Sequence, residues 1–181
     1  SKVKPDDIID ALQKENIDYK GILYIGFMVD NGKPYVLEFN CRFGDPETQV
    51  ILPLLETDLV DIVEHTINGT LNEIDIKWST KSAVCVVLAS GGYPEKYEKN
   101  IKIFGLDTIT DDEAIVFHAG TKKDEQGNVL TSGGRVLVLT AVADDIKSAI
   151  DKVYVVIPKV TFDKMHYRKD IAQRALKWIN K

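Results

Sequence analysis

Asn31-Gly32 lies between two β-prone runs, Gly21 to Val29 and Pro34 to Phe39, joined by Asp30-Asn-Gly-Lys33. An Asn-Gly pair between such runs is a strong hairpin signal, because both residues accept the positive φ that a tight turn needs. The spacing therefore predicts an antiparallel ribbon. Side chains alternate faces along a strand, so Glu38, Asn40 and Arg42 point the same way if the extended run continues that far. Leu37, Phe39 and Cys41 then form the opposite, apolar and packed face.

The polar row has a chemistry. A carboxylate and an amide oxygen are hard ligands suited to Mg²⁺, which takes one or two carboxylates plus phosphate oxygens. A guanidinium beside them can grip an anion with two prongs. Polar residues alternating at a strand end are, by themselves, more often a solvated face. Here the row runs into a turn bearing two more carboxylates, Asp45 and Glu47. Pro46 can start a helix over Pro46 to Leu55 with Asp45 as its N-cap, and a helix N-terminus favours an anion nearby. Within that helix Pro53 is expected to force a kink or a restart.

Glu-Phe-Asn-Cys-Arg-Phe-Gly-Asp-Pro-Glu-Thr-Gln (38–49) resembles the signature of the ATP-grasp ligases, and within them the phosphoribosylamine–glycine ligase (glycinamide ribonucleotide synthetase) family. Gly21 to Met28 resembles that family's preceding strand. Ala89-Ser-Gly-Gly-Tyr-Pro94, Val116 to Thr121, Thr131-Ser-Gly-Gly-Arg-Val-Leu137 and Tyr167 to Ala175 resemble its C-terminal domain, in the family's order. The resemblance covers nearly the whole chain. It implies an α+β architecture: the C-terminal part of an ATP-grasp domain (residues 1–75), then a small β-rich C-terminal domain with a packed helix (residues 76–181). Family members are more than twice this length, and this chain opens on Ser1, so it reads as a fragment whose partner is the missing N-terminal part of the same enzyme.

The resemblance further implies ATP-dependent joining of glycine to 5-phosphoribosylamine through an acyl phosphate, in cytoplasmic purine biosynthesis, with the fragment inactive alone. Glu38 and Asn40 would hold Mg²⁺ or Mn²⁺ against the nucleotide, and Arg42 would be the catalytic cation on the transferring phosphate. Asp45, Glu47 and Arg135 would bind substrate. Ile25-Gly-Phe27 offers no second metal carboxylate of the kind many relatives carry on that strand, and Ala172 stands where relatives commonly have Gly. Two rivals are another ATP-grasp carboxylate–amine ligase and a non-catalytic scaffold piece. The intact row of Glu38, Asn40 and Arg42 speaks against the second.

Elsewhere the chain is ordinary. Charged residues make up 28% and the net charge is −5, which argues against a nucleic-acid surface. No apolar run approaches the ~18 residues that cross a bilayer. Cys41 and Cys85 sit in apolar runs without zinc spacing and are expected to be buried free thiols. Pro5 to Glu15 and Asp58 to Asn68 read as helices, the second ended by Gly69. His65 then falls in a last turn. Ala83 to Ala89 is a continuous apolar run typical of a strand buried on both faces. Ala114 to Ala119, Asn128 to Thr131 and Arg135 to Ala141 are further strands, and Asp144 to Val155 is a helix capped by Asp144. A last helical segment runs from Ile171 to Ile179. Thr131-Ser-Gly-Gly-Arg135 admits a phosphate-cradle reading, but a tight turn is favoured locally. His118 and the pair Arg168/Asp170 read as structural.

Overall fold

The computed structural model describes residues 5–179 and divides the chain into two compact units. The first holds the chain up to Asp45 together with Leu55–Trp78; the second holds Pro46–Leu54 and everything from Ser79 onward.

In the first unit, helix α1 (Pro5–Lys14) precedes strands β1 (Tyr24–Asp30) and β2 (Lys33–Asn40), which form the expected hairpin. Its turn is closed by Asn31 at φ 46° and Gly32 at φ 75°, the left-handed conformation that the Asn-Gly pair tolerates. Helix α3 (Leu59–Asn68) follows the expected signals. The Asp58 carboxylate accepts from the Val60 N–H at 2.7 Å, and Gly69 closes the helix at φ 72°. Lys20 donates to the Ile67 carbonyl at 2.9 Å, placing a cation on the last turn. His65 Nδ1 lies 2.9 Å from Thr70 Oγ1 and 3.1 Å from the Thr70 carbonyl, a local structural setting.

The apolar face expected on β2 is not packed. Leu37 is 63% and Phe39 54% exposed, and Met28 and Val29 on β1 are also open. A two-stranded ribbon with one helix beside it lacks the surface to cover both faces. Cys41 is likewise exposed, and only Cys85 is even half-buried; neither is in a disulfide. Phe39, Cys41, Leu23 and Tyr19 line a cavity of about 470 Å³ with Ile8 and Leu12 of α1.

The second unit carries the core. Strands β3 (Ser82–Ala89), β4 (Ile115–His118) and β7 (Arg135–Ala143) form an antiparallel sheet in the order β3-β7-β4. Val84, Val86 and Leu88 pair with Ala141, Leu139 and Leu137, so these six share one face. They form one cluster with Ala149, Ile150, Val153 and Val156 of helix α4 (Ile146–Val156). The opposite face is covered by the segment Pro46–Leu54: Thr140 Oγ1 donates to the Gln49 carbonyl at 2.9 Å, and Cys85 Sγ lies 3.6 Å from the Pro46 carbonyl. The strand buried on both faces is therefore the central β7, while β3, at the sheet's edge, keeps Ala83, Cys85 and Val87 only half-covered.

Three local expectations are corrected. The helix after the signature is only α2 (Thr48–Ile51), followed by a 3₁₀ turn at Leu52–Leu54 that accommodates Pro53. Asp45 and Pro46 lie in the preceding turn, so Asp45 is not its cap; Glu47 holds that position without a side-chain capping bond. A four-residue helix offers little dipole to an anion. Helix α4 is capped by Asp145, not Asp144. The Asp145 carboxylate accepts from the Ser148 N–H at 2.8 Å and from Ser148 Oγ at 2.7 Å, and these bonds hold its carboxyl below the usual range. A further small ribbon pairs β5 (Thr121–Lys123) with β6 (Val129–Thr131); β5, with two lysines in three residues, carries no strand signal.

Helix α5 (Gln173–Ile179) starts two residues later than expected, because Ala172 has φ 61° and breaks the helical path. The left-handed region costs a residue with a Cβ about 1–2 kcal/mol. Glycine relieves that strain but adds unfolded-state entropy of about 0.5–1 kcal/mol. Ala172→Gly is expected to raise the melting temperature by roughly 1–3 °C. A calorimetric scan checks it, and a fall of several degrees would show that the Ala172 methyl matters more to the core than its backbone strain.

Candidate active site

Glu38 and Asn40 lie on one face of β2, as the alternation requires, since each pairs across the ribbon with a β1 residue of the same face. Asn40 pairs with Tyr24 and Glu38 with Gly26; Phe39, between them, pairs with Ile25 on the other face. Glu38 is exposed and Asn40 half-buried. Beyond Glu38 the register slips: Phe27 pairs with Val36, and Leu37 is the extra residue of a β-bulge. The bulge separates the polar end of the ribbon from its turn.

Gly26 is a feature of the candidate site that the alternation alone does not reveal. A Cβ built there would sit 3.1 Å from Cγ of Glu38, so the Glu38 side chain lies across bare backbone. The absence of a side chain at Gly26 leaves room for the Glu38 side chain. Among the described residues no group of three or more His, Cys, Asp or Glu could hold a metal ion. The candidate donor set on β2 is one carboxylate and one amide oxygen, both hard. That set fits Mg²⁺ or Mn²⁺ bound chiefly through phosphate oxygens and water, and does not fit a metal held by protein alone.

Arg42 departs from the row. The strand ends at Asn40, and Cys41 and Arg42 form a bend. The exposed Arg42 guanidinium donates through Nη1 to the Phe43 carbonyl at 2.9 Å. Asp45 is exposed and Glu47 half-buried, each engaged in further contacts. Glu47 and Arg135 belong to the second unit.

In that unit the glycine loops serve closure rather than a cradle. Ser132 and Gly133 N–H both donate to the Gly120 carbonyl, at 2.7 and 3.2 Å, and a Cβ on Gly133 would meet the Gly120 Cα at 3.0 Å. The buried Ser90 ties a second loop to the first: its N–H donates to the Gly134 carbonyl at 2.8 Å and its Oγ to the Gly133 carbonyl at 2.9 Å. Arg135, half-buried at the start of β7, donates through Nε to the Tyr93 hydroxyl at 3.3 Å. Tyr93 was legible in the sequence only as part of a turn, Gly91-Gly-Tyr-Pro94. His118 Nδ1 lies 2.9 Å from Thr121 Oγ1, and Arg168 grips Asp170 with two bonds of 2.9 and 2.7 Å. The last pair holds the Asp170 carboxyl below its ordinary range, a local structural role.

Two family models match the chain. Residues 83–174 match the one described as phosphoribosylglycinamide synthetase, C domain, and residues 3–48 match phosphoribosylglycinamide synthetase, ATP-grasp (A) domain. A phosphoribosylamine–glycine ligase of Caldanaerobacter subterraneus subsp. tengcongensis is 50% identical over 165 residues, which cover 91% of this chain and 39% of that protein. One from Neisseria meningitidis serogroup B is 47% identical over 169 residues, covering 93% of this chain and 40% of that one. The crystal structure of phosphoribosylamine–glycine ligase from Thermotoga maritima superposes with a TM-score of 0.78 at 36% identity, over 92% of this chain and 41% of that one. A biotin carboxylase complex from Campylobacter jejuni shares the fold at a TM-score of 0.54 and 18% identity, over 91% of this chain and 36% of that one. The chain spans about two fifths of the length of the curated ligases it matches.

Proposed function

The chain belongs to the phosphoribosylglycinamide synthetase family, and from that premise we propose that it forms the C-terminal part of a ligase joining glycine to 5-phosphoribosylamine at the expense of ATP. The products are glycinamide ribonucleotide, ADP and phosphate. Residues 1–75 are the end of the ATP-grasp domain and residues 76–181 the C-terminal domain, a division supported by where the two family models fall. Its partner is the N-terminal part of the same enzyme, which the exposed apolar side chains Met28, Val29 and Leu37 are suited to meet. The setting is cytoplasmic, in purine biosynthesis; no helix among the described residues is long and apolar enough to cross a membrane.

The observation that carries this reading is the pairing of Glu38 and Asn40 on one face over Gly26, inside the segment matched by the ATP-grasp model. The glycine carboxylate attacks the γ-phosphate to give an acyl phosphate and ADP, and the amine then displaces phosphate. Both steps crowd negative charge, and fixed cations stabilise that charge where it develops. Glu38 and Asn40 would hold Mg²⁺ or Mn²⁺, which when bound neutralises phosphate charge. Arg42 exchanges its exposed bond to the Phe43 carbonyl for the transferring phosphate. Asp45 and Glu47 receive the glycine ammonium or order the loop, and Arg135 receives a substrate anion.

Orientation and water exclusion supply much of the rate in such a reaction. The 181-residue chain alone is therefore expected to release no ADP in response to glycine, whereas a chain of the relatives' length containing it should release ADP continuously, over many turnovers, only with glycine and 5-phosphoribosylamine together. A coupled ADP assay across carboxylate and amine pairs checks this. Preference for another pair would place it with a different ATP-grasp ligase, and ADP release by the short chain alone would remove the need for a partner.

A further inference from the structure

We infer that Asn31 is a site of spontaneous deamidation through a succinimide, and that the other Asn-Gly pair of the chain, Asn68-Gly69, is protected by its helix cap. Asparagine is a chemically labile residue, and a following glycine, having no Cβ, leaves its nitrogen open to approach. The Gly32 main-chain nitrogen gives up its proton to water or hydroxide and attacks Cγ of Asn31. The Cγ–Nδ2 bond breaks, and Nδ2 leaves as ammonia after taking a proton from water. Water then opens the imide ring at either carbonyl. Opening at Cγ gives aspartate. Opening at the main-chain carbonyl gives isoaspartate, whose backbone runs through Cβ and Cγ. Water is the only co-reactant.

The two pairs share a sequence and differ in structure. The ribbon's ladder ends at Asp30 and Lys33, so Asn31 and Gly32 stand outside it, and both are exposed. A Cβ on Gly32 would meet nothing within 4 Å, so the turn stands clear of the rest of the chain. A two-stranded ribbon is marginal by itself, and its tip opens at little cost, which lets the Asn31 amide swing onto the following nitrogen. Gly69, by contrast, caps α3, and its N–H donates to the Thr66 carbonyl at 3.3 Å. The same turn is held by Lys20 Nζ on the Ile67 carbonyl and by the Thr70 N–H on the His65 carbonyl, at 2.9 Å each. Attack at Asn68 therefore requires the cap to open first. At Asn31 the product places a new carboxylate beside Asp30, and isoaspartate also lengthens the backbone of the turn. A two-residue turn with positive φ at both positions has no place for the added length. The change thus reaches the ribbon that carries Glu38 and Asn40, whatever reaction those residues serve.

The test incubates the folded 181-residue chain at mildly alkaline pH and reads both pairs over time by peptide mass spectrometry, with fragmentation that separates isoaspartate from aspartate. Modification of Asn31 is expected to run about tenfold or more ahead of Asn68, the factor that one capping hydrogen bond is worth. In guanidinium the two should react at similar rates. Equal rates in the folded chain, or the same preference in denaturant, would overturn the structural account. An Asn31 that stays intact in the folded chain while both pairs react in denaturant would overturn the site itself. Aspartate without isoaspartate would overturn the succinimide route. The product, more acidic by one charge, is separated by anion exchange, and its β1 and β2 amides should exchange hydrogen about tenfold faster than in the unmodified chain, as a ribbon that has lost its closing turn does. Asn31→Gly keeps a turn of the same class and removes the amide, so it should show neither the charge shift nor the faster exchange. Unchanged exchange in the modified chain would overturn the effect on the ribbon.

Discussion

Glu38→Ala, placed in a ligase of the relatives' length that carries this chain, is expected to lower turnover roughly 10²–10³-fold, the scale of removing one preorganised electrostatic group from an active site. Its melting temperature should stay where it was. Glu38 is exposed and its side chain lies across the bare backbone of Gly26, so truncation opens no buried cavity. Arg42→Ala should act on the same scale. It gives up one exposed bond to the Phe43 carbonyl, a surface contact of small worth to folding. Thermal melts and steady-state kinetics on the same preparations separate the two readings of the polar row. A lowered melting temperature with turnover intact would return Glu38 and Arg42 to the status of a solvated strand face.

The hairpin, helix α3 and the core strands were legible because each rests on local chemistry. Asn31-Gly32 sets the turn, Asp58 and Gly69 set the helix ends, and the apolar run of Ala83 to Ala89 sets a strand. What the sequence hid are features decided by tertiary neighbours. The bulge at Leu37 depends on pairing with β1, and nothing in Val36-Leu-Glu38 signals it. Pro46 to Leu55 reads as a helix kinked or restarted at Pro53, yet only a four-residue helix and a 3₁₀ turn form where the segment lies against Cys85 and Thr140 on the sheet. The signature therefore spans both units, with Glu38 and Asn40 in one and Glu47 anchored in the other. Of the site, the pair on β2 followed from alternation alone. Arg42 did not, because the strand ends two residues before it. Tyr93 could not be foreseen as a partner of Arg135, since 42 residues separate them and only the packed loops bring them together.

Metal affinity should divide the short chain from the whole ligase more sharply than any stability measurement. One carboxylate and one amide oxygen leave most of an octahedral Mg²⁺ shell to be filled by nucleotide phosphates and water. The 181-residue chain should therefore bind Mn²⁺, the spectroscopic stand-in, only in the millimolar range or more weakly, as low-charge sites do. A non-hydrolysable ATP analogue should help little, because the ATP-grasp model matches only residues 3–48 here and the proposed nucleotide site needs the remainder of that domain. In a chain of the relatives' length, metal and nucleotide should each raise the other's affinity by the same factor, since linkage between two bound ligands is reciprocal. Calorimetric or relaxation titrations of both proteins, with and without the analogue, measure all four affinities. Micromolar Mn²⁺ binding to the nucleotide-free short chain, abolished by Glu38→Ala, would mean that the ribbon holds the metal by itself. Glu38 and Asn40 could not then be the two protein corners of a site completed by phosphate.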